Sequence, residues 1–356
     1  MRIIHTSDLH IGAPFSARLS QDKIRQRKAE LIENFRRLCA EASRIKADAL
    51  IIAGDLFDSE RVPLSVSRQV ITAMENAPGV DFLYLPGNHE KSAFIECGLK
   101  MPENLKIFAR EWTCFDYGEV SILGKSEINT GMFNSLSTEK SRTNIVVLHG
   151  PISDAKGTDE LIGLADMKEK NIDYVALGHY HSYSVLEIDR RAKAVYSGAL
   201  EGRGFDEVGD KGYSLIDITD GVIQHCFVRF AKRTVRRIEV DTEGVSDRFR
   251  LEEKAAFALS SIPKGDMVRL VFVGKRSPEL VIDTAALCAR WSDLFFHFEV
   301  VDESGIKIEP ARYALDKSLK GEFIRLVSSK DGLTEEEKGY IISCGINALM
   351  GEFYEV

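Results

Sequence analysis

Residues 49–58 read ALIIAGDLFD, and this stretch decides the fold. Its first five residues are apolar throughout, which is typical of a strand buried on both faces of a parallel sheet. The strand ends at Gly54, and two carboxylates follow, at Asp55 and Asp58. An apolar strand that runs into acidic side chains predicts a sheet whose edge carries a polar site.

The same arrangement recurs along the first two thirds of the chain. Apolar runs of strand length alternate with longer segments of helical periodicity, which predicts an α/β fold. The longest helical segment extends from about Gln21 to Ile45, with Ser20 as its N-cap. The predicted buried strands are 3–6, 49–53, 82–85, 145–148, 174–177 and 194–196.

The composition is that of a globular protein. Hydrophobic residues make up 44% and charged residues 29% of the chain, and no apolar run approaches the roughly 18 residues that span a bilayer. The N-terminal segment lacks the long apolar stretch of an export signal, so a cytoplasmic location is expected. Six cysteines without a C-x-x-C pair argue against a zinc ribbon or a redox motif. The net charge of −8 argues against binding of nucleic acid by the overall field of the chain.

Residue types that bind metals follow five of the six predicted strands. Each one taken singly is more often a turn residue or a satisfied polar group than a ligand. Their convergence at one sheet edge is not explained by packing or capping, since neither requires imidazoles there. His5, inside its strand, is interpreted as structural, as are His225 and His297. The strand-end segments are DLH at 8–10, GDLFD at 54–58, GNHE at 87–90, HG at 149–150 and GHYH at 178–181.

In this order and spacing, the five segments resemble the motifs of the calcineurin-like metallophosphoesterase superfamily, over residues 1 to about 200. The opening DLHIG, the GHYH segment and residues 196–207 further resemble the SbcD-like DNA repair exonuclease branch, nearest its YhaO-type bacterial members. The resemblance implies a four-layer metallophosphoesterase sandwich, a second, smaller α/β capping domain and a C-terminal helical tail. Glu90 departs from this branch, whose nucleases commonly carry Asp there, and is usual in protein phosphatases.

The resemblance also implies a centre of two divalent metal ions. One ion would be held by Asp8, His10, Asp55 and His181, and the other by Asp55, Asn88, His149 and His179. Nitrogen and oxygen ligands without a thiolate favour Mn²⁺, with Fe²⁺ or Zn²⁺ as alternatives. Two such ions bring a charge of about +4 and two carboxylates remove about 2, which leaves about +2 to attract a phosphodiester.

Two residues beside these ligands are implied to act in the reaction. His89 follows Asn88 and would protonate the leaving oxygen or stabilise the transition state. Asp58 would orient that imidazole, although its spacing alone is equally typical of a helix cap. Ser59 stands where the protein phosphatases carry a phosphate-binding arginine, which favours a diesterase.

Two segments further along the chain are candidates for substrate contact. Arg203 and Phe205 would bring a cation and an aromatic ring to a nucleic acid near the metals, and a flexible hairpin is an equal alternative. Residues 229–237 carry five basic residues and no acidic one. For them an exposed strand that links two domains is preferred over DNA contact.

Three domains are expected: a nuclease domain over residues 1–233, the capping domain over 234–312 and the tail over 313–356. The capping part, 238–310, is expected over the metal edge. The tail, from Ala314 to Phe353, is expected to dock a partner, and packing on its own domain is the alternative. Its first helix has one apolar stripe, made of Leu315, Leu319, Phe323, Leu326 and Val327, and its second opens with a capping box, Thr334 and Glu337.

The resulting hypothesis is a two-metal-dependent DNA phosphodiesterase, an exo- or endonuclease that acts on DNA ends in repair. The resemblance supplies both partners, DNA and a coiled-coil ABC-type ATPase; a homodimer is compatible with it, and no membrane partner is expected. A small-molecule phosphodiesterase or protein phosphatase is the second interpretation, on Glu90 and the acidic charge. A recruiting subunit with structural metals is the third. His89 argues against it, because a scaffold needs no acid beside its metals.

Overall fold

The computed structural model describes residues 1–15, 19–91, 93–277, 280–307, 313 and 315–349. The chain divides into two compact units, Met1–Val235 and Arg236–Val356. The predicted α/β class is confirmed, since strands and helices alternate in both units. Ala314 and Phe353, the predicted bounds of the tail, lie outside the described residues.

The first unit contains the six predicted strands, all of which are confirmed. Its helices are α1 (Gln21–Arg44), α2 (Leu64–Glu75) and α3 (Leu164–Met167). Its strands are β1 (Arg2–Thr6), β2 (Ala49–Ala53), β3 (Asp81–Leu85), β4 (Leu105–Ile107), β5 (Thr113–Tyr117), β6 (Val120–Gly124), β7 (Thr143–His149), β8 (Ile152–Ser153), β9 (Ile162–Gly163), β10 (Tyr174–Gly178), β11 (Ser184–Glu187), β12 (Lys193–Tyr196), β13 (Gly212–Thr219) and β14 (Val222–Arg229).

Two six-stranded sheets form the centre of this unit, with the orders β14–β13–β1–β2–β3–β4 and β11–β12–β10–β7–β6–β5. Alternate residues of a strand point to opposite faces. Ile51 of the first sheet and Val147 of the second therefore enter a core between the sheets. Ile52 packs on the other face with Phe35 of α1, and Met167 of α3 covers the outer face of the second sheet. The layers are helix, sheet, sheet and helix.

Parallel pairing aligns the strand ends that carry the site. In the first sheet β1, β2, β3 and β4 are parallel neighbours, and in the second β7 and β10 pair with His149 opposite Gly178. The strand β2 also contacts β7 and β10 across the core. The carboxyl ends of β1, β2, β3, β7 and β10 consequently meet at one edge, as predicted.

Short segments of sequence explain where α1 begins and how β13 turns into β14. Ser20 caps α1 by accepting a hydrogen bond from the Lys23 amide. Asp220 and Gly221 have φ values of 50° and 76°, the left-handed pair of a two-residue hairpin turn. The polar stretch 129–144 contains the 3₁₀ turn Met132–Asn134, whose Met132 and Phe133 side chains join the core outside the second sheet.

The second unit contains the remaining elements. Its strands are β15 (Val235–Asp241), β16 (Met267–Val273), β17 (Lys275–Arg276), β18 (His297–Asp302) and β19 (Gly305–Ile306), and its helices are α4 (Arg248–Leu259), α5 (Thr284–Trp291), α6 (Leu319–Ser328) and α7 (Glu335–Leu349). The sheet β15–β16–β18 shares a core with α4 and α5. Among the described residues, no helix is both long and apolar enough to cross a membrane.

The helices α6 and α7 pack against each other, and the predicted stripe is divided between two faces. Ile324 and Val327 face α7 and are joined by Phe323 and by Ile306 of β19. Leu319 and Leu326 are instead 69% and 68% exposed. The predicted capping box is present, since the Glu337 amide donates to Thr334 Oγ1 and Glu337 accepts from the Thr334 amide.

We expect this pair of helices to contribute to folding through its inner face alone. Ile324→Ala should lower the free energy of unfolding by about 2–5 kcal/mol, because the truncation leaves a cavity around a fully buried side chain. Leu326→Ala, on the exposed face of the same helix, should change it by less than about 0.5 kcal/mol. Urea denaturation followed by circular dichroism measures both. Equal effects would contradict the packing described.

Candidate metal centre

The backbone adopts an unusual conformation where the site strands end. The φ angles of Asp8, His10, Asp55 and His179 are 52°, 45°, 51° and 110°, values that L-residues rarely adopt. Such backbone strain costs on the order of 1–3 kcal/mol per residue and clusters at functional sites. Four of the seven predicted ligands are strained in this way, and the surrounding fold holds them there.

Glycines precede several of the predicted ligands because no side chain fits at those positions. A Cβ atom at Gly54 would overlap the His149 imidazole, and one at Gly87 would overlap the Asp55 carboxylate. The loops after β2 and β3 thus approach the neighbouring ligands directly. This contact explains the glycine in the segments GD and GN.

The structure brings six of the seven predicted ligands together through their donor atoms, and the seventh, His179, lies beside them. The ligand atoms within each of three groups lie within 4.8 Å of one another, and the groups are Asp8, His10 and His181; Asp8, Asp55 and His149; and His10, Asp58 and His89. Asn88 joins through its Oδ1, 2.8 Å from His149 Nε2. His179 joins through its amide, 3.0 Å from the Asp8 carboxylate, and its ring centroid lies 5.6 Å from that of His149.

Three of the imidazoles have an acceptor behind Nδ1 and turn Nε2 into the cluster. Nδ1 of His149 lies 2.9 Å from the Ala53 carbonyl oxygen. Nδ1 of His181 lies 2.7 Å from Glu207. Nδ1 of His10 lies 3.0 Å from the Asp58 carboxylate, an ion-pair contact whose angles are not those of a hydrogen bond. In His149 and His181 the hydrogen-bond acceptor fixes the proton at Nδ1 and leaves Nε2 as a lone-pair donor, as in metal-ligating histidines. The nearby Asp58 carboxylate favours the same arrangement in His10.

The spacing of the donor atoms fits a metal ion. The Nε2 atoms of His10 and His181 are 3.2 Å apart, and two nitrogen ligands of one ion, each about 2.1 Å from it, lie roughly 3.0–3.4 Å apart. His149 Nε2 and Asp55 Oδ2 face each other at 3.3 Å. The donors are nitrogen and oxygen throughout. These residues can therefore hold divalent ions of the borderline type.

The central carboxylate is ionised, as a metal ligand must be. Burial alone would raise the pKa of Asp55, but the hydrogen bond with His149 and the nearby His10 outweigh burial and lower this pKa to about 2. His5 is a buried histidine outside the cluster. Burial lowers the pKa of His5 to about 3, and its ring nitrogens contact the Tyr174 hydroxyl and the Leu177 carbonyl oxygen. Its structural role is confirmed.

A known family covers this half of the chain: the family described as "Calcineurin-like phosphoesterase" matches residues 1–183. The chain belongs to this family. It is accordingly a metal-dependent phosphoester hydrolase, and the clusters described above are its candidate metal ligands.

A bacterial relative matches more of this metallophosphoesterase than the family does. The "Uncharacterized metallophosphoesterase YhaO" of Bacillus subtilis (strain 168) is 28% identical over 305 residues, which cover 80% of this chain and 74% of that protein. Residues 1–235 are about two thirds of the chain, so this similarity extends into the second unit.

Solved structures of low sequence identity also match. TT1561 of Thermus thermophilus is 16% identical with a TM-score of 0.40, covering 64% of this chain and 99% of that one. A dimetal phosphatase from Danio rerio is 9% identical with a TM-score of 0.41, covering 64% and 98%. The purple acid phosphatase PPD1 from yellow lupin seeds is 13% identical with a TM-score of 0.41, covering 63% and 51%.

In this metallophosphoesterase the Asp58 carboxylate contacts a different partner from the one predicted. Its Oδ1 lies 3.0 Å from His10 Nδ1 and 3.1 Å from the Arg203 guanidinium. His89 Nδ1 contacts the backbone oxygen of Asp58 instead, at 3.2 Å. Asp58 therefore holds His89 through its main chain and His10 through its side chain. The alternative of a helix cap is wrong, because α2 begins at Leu64 with Pro63 before it.

His89 lies at the open side of the cluster. Its side chain is 43% exposed, and its Nε2 is 3.9 Å from Asp55 Oδ2. Its amide donates to the other oxygen of the same carboxylate, at 3.2 Å. The imidazole is thus fixed beside the ligands without being enclosed by them, and it is accessible to a substrate.

The predicted substrate contact Arg203 is largely enclosed by carboxylates. Its side chain is 18% exposed and pairs with Asp58 and Glu207, while Phe205 is half-buried in the same loop. Sequence reasoning did not assign a role to Glu207, which binds the ligand His181. An acidic residue in a loop has no periodicity or capping pattern that would indicate its contact with a histidine. The sequence singled out Glu207 only as the last residue of GFDE, 204–207, within the stretch that carries the family resemblance.

Glu90 has a positioning role that does not depend on substrate class. It is fully buried, and one carboxylate oxygen accepts from the Tyr84 hydroxyl and from the amides of Gly87 and Leu56, at 2.8, 3.1 and 3.2 Å. Burial, together with the charge of Asp55, raises the pKa of Glu90 to about 7. This side chain joins the loops after β2 and β3.

The basic segment 229–237 is occupied by ion pairs within each unit. Arg229 pairs with Asp210 and Arg233 with Glu30 in the first unit. In the second unit the pairs are Arg236 with Asp266 and Arg237 with Glu303. These pairs favour the preferred interpretation of a structural segment over DNA contact. The predicted linking strand is wrong for its middle part, since residues 230–234 form a loop between β14 and β15.

We expect the metal content of purified variants to distinguish the predicted metal ligands from His89, whose imidazole is exposed. Asp55→Asn should lose bound metal and activity together, because it removes the central negative charge. His89→Ala should retain metal and lose about 10²–10⁴-fold in rate, the usual effect of a general acid. Elemental analysis of dialysed variants, beside a small-diester assay, measures both.

His225→Ala is the matched control, since His225 lies on β14 outside the three metal-binding groups. It should retain both metal and rate. A metal-free His89→Ala variant would make His89 a ligand and contradict its role as a general acid.

Proposed function

We propose that this metallophosphoesterase is a two-metal DNA phosphodiesterase of the SbcD-like repair branch, an exo- or endonuclease that acts in the cytoplasm with Mn²⁺ as its ion. The observation that carries the proposal is the exposed imidazole of His89 beside a cluster of metal ligands, with Ser59 rather than arginine after Asp58.

The surroundings of the cluster favour a diester over a monoester. Ser59 Oγ accepts from the Arg61 amide at 3.3 Å, so this small side chain folds onto its own turn. Arg203 is held by two carboxylates. A phosphate monoester brings about one more negative charge than a diester, and enzymes that bind such dianions commonly present guanidinium groups to them. Neither Ser59 nor Arg203 provides such a group to the substrate.

His89 is placed to act as the general acid. Its Nδ1–H donates to the Asp58 carbonyl oxygen, which leaves Nε2–H of the imidazolium for the leaving oxygen of the nucleotide. Two bound divalent ions supply Lewis acidity, which neutralises phosphate charge and makes water a better nucleophile. The backbone contact of His89 keeps the ring oriented while its exposed edge faces the substrate.

The second unit supports the narrower assignment. Similarity to YhaO extends beyond the family match into this unit, which suits a capping domain over 234–312 that selects the substrate. The exposed apolar side chains at Leu315, Leu319 and Leu326, which are 92%, 69% and 68% exposed, suit a helix-in-groove partner. We propose the coiled-coil ABC-type ATPase as that partner.

Direct digestion tests the substrate class. With Mn²⁺ the protein should cleave labelled single-stranded or duplex oligonucleotides and bis-nitrophenyl phosphate, and it should act far more slowly on nitrophenyl phosphate. The His89→Ala variant serves as the control for contaminating nucleases, since it should lose all of these activities in parallel. Phosphate release from the monoester with intact DNA would contradict the proposal and favour a phosphatase.

The exposed face of α6 should determine partner binding. Leu319→Asp with Leu326→Asp should abolish co-purification with the ATPase and leave the melting temperature and diester activity unchanged. Phe323 is unsuitable for this test, because it packs inside the pair of helices. The control is Lys330→Asp, an exposed charge change just after α6. Equal co-purification of the leucine and lysine variants would place the partner elsewhere.

A further inference from the structure

Arg203 joins two carboxylates, each of which holds the imidazole of a predicted metal ligand. Its guanidinium lies 3.1 Å from Asp58 Oδ1 and 2.7 Å from Glu207 Oε1. The same two oxygens lie 3.0 Å from His10 Nδ1 and 2.7 Å from His181 Nδ1. One cation thus connects the outer nitrogens of two rings whose inner nitrogens are 3.2 Å apart.

Buried hydrogen bonds from α1 hold the loop that carries Arg203. Arg27 of α1 is fully buried and donates to the Gly202 carbonyl oxygen at 2.6 Å and to Glu201 at 2.9 Å. The Arg203 amide donates to the second oxygen of Glu207 at 2.8 Å. Main chain and side chain of Arg203 are therefore both engaged with the same carboxylate, and its guanidinium is held in place.

The imidazole of His149, in the other half of the centre, is oriented differently. Nδ1 of His149 contacts the Ala53 carbonyl oxygen, a main-chain acceptor that no side-chain substitution removes. His10 and His181 depend instead on two carboxylates that repel each other unless a cation lies between them. The two halves of the centre consequently differ in their dependence on Arg203.

We infer that Asp58, Arg203 and Glu207 form a positioning bridge that holds His10 and His181 as a pair for one metal ion. The bridge acts through the Nδ1 atoms and not on the substrate. Arg203 therefore sets the affinity of the ion held by His10 and His181, while the ion beside His149 is independent of it. The inference concerns metal binding and does not depend on whether DNA is the substrate.

Metal stoichiometry tests the inference, with Mn²⁺ as the probe. The full chain should bind two ions, and Arg203→Met should weaken one of them by about 10–100-fold, the usual effect of removing an outer-shell partner. Titration calorimetry gives the affinities, and the electron paramagnetic resonance spectrum should change from that of a coupled pair to that of a single ion. Arg203→Lys should recover part of the affinity, since an ammonium can pair with one carboxylate.

Two further variants keep the test decisive. Arg191→Met removes a similar bidentate pair, with Asp173, elsewhere in the same unit, and it should retain two ions. Glu207→Gln keeps an acceptor for His181 but loses the ion pair. It should show the same selective loss as Arg203→Met, and it decides the question if Arg203→Met does not fold.

The results that overturn the inference are distinct. Unchanged affinities for both ions with a raised KM would make Arg203 a substrate contact. Equal weakening of both ions in Arg203→Met or Glu207→Gln, with an unchanged melting temperature, would show that the bridge does not act on one half of the centre. Failure to cleave DNA would leave the metal titrations interpretable, so the two proposals fail separately.

Discussion

A buried negative charge at Asp55, at the edge where two sheets meet, is the constraint on which the rest of the site depends. A carboxylate enclosed in this way is costly unless positive charge or hydrogen-bond donors surround it. The His89 amide and the His149 and His10 imidazoles provide those partners. Bringing five strand ends close to this one carboxylate requires positive φ angles at several residues. It also requires glycine where a Cβ atom would overlap a neighbouring side chain.

The α/β fold and the polar residues at the strand ends could be predicted from the sequence because both are encoded locally. A strand buried on both faces is apolar throughout, so a polar residue directly after it marks the end of the strand. In a parallel sheet the carboxyl ends of the strands lie at one edge, whatever the length and sequence of the connecting loops. The convergence of these polar residues follows from the sheet geometry. The set of seven ligands is what the resemblance to the family motifs implies, and it stays a prediction.

The parts that could not be predicted are contacts between residues far apart in the chain. Asp58 and Arg203 are separated by 145 positions, and no local pattern pairs them. Glu207 is a loop carboxylate among many. The apolar stripe of α6 was visible, but which of its leucines face α7 depends on packing, and so Phe323 and Leu319 could not be separated by spacing alone.

The distribution of charge explains how an acidic chain can attract a phosphate anion. The net charge is −8, and the basic segment 229–237 is paired with carboxylates within each unit. Arg203 is likewise enclosed by Asp58 and Glu207. Divalent ions held at the cluster would then supply attraction for the substrate, and it would reach only about a Debye length, roughly 10 Å. A phosphate anion would thus be attracted at the place where it reacts.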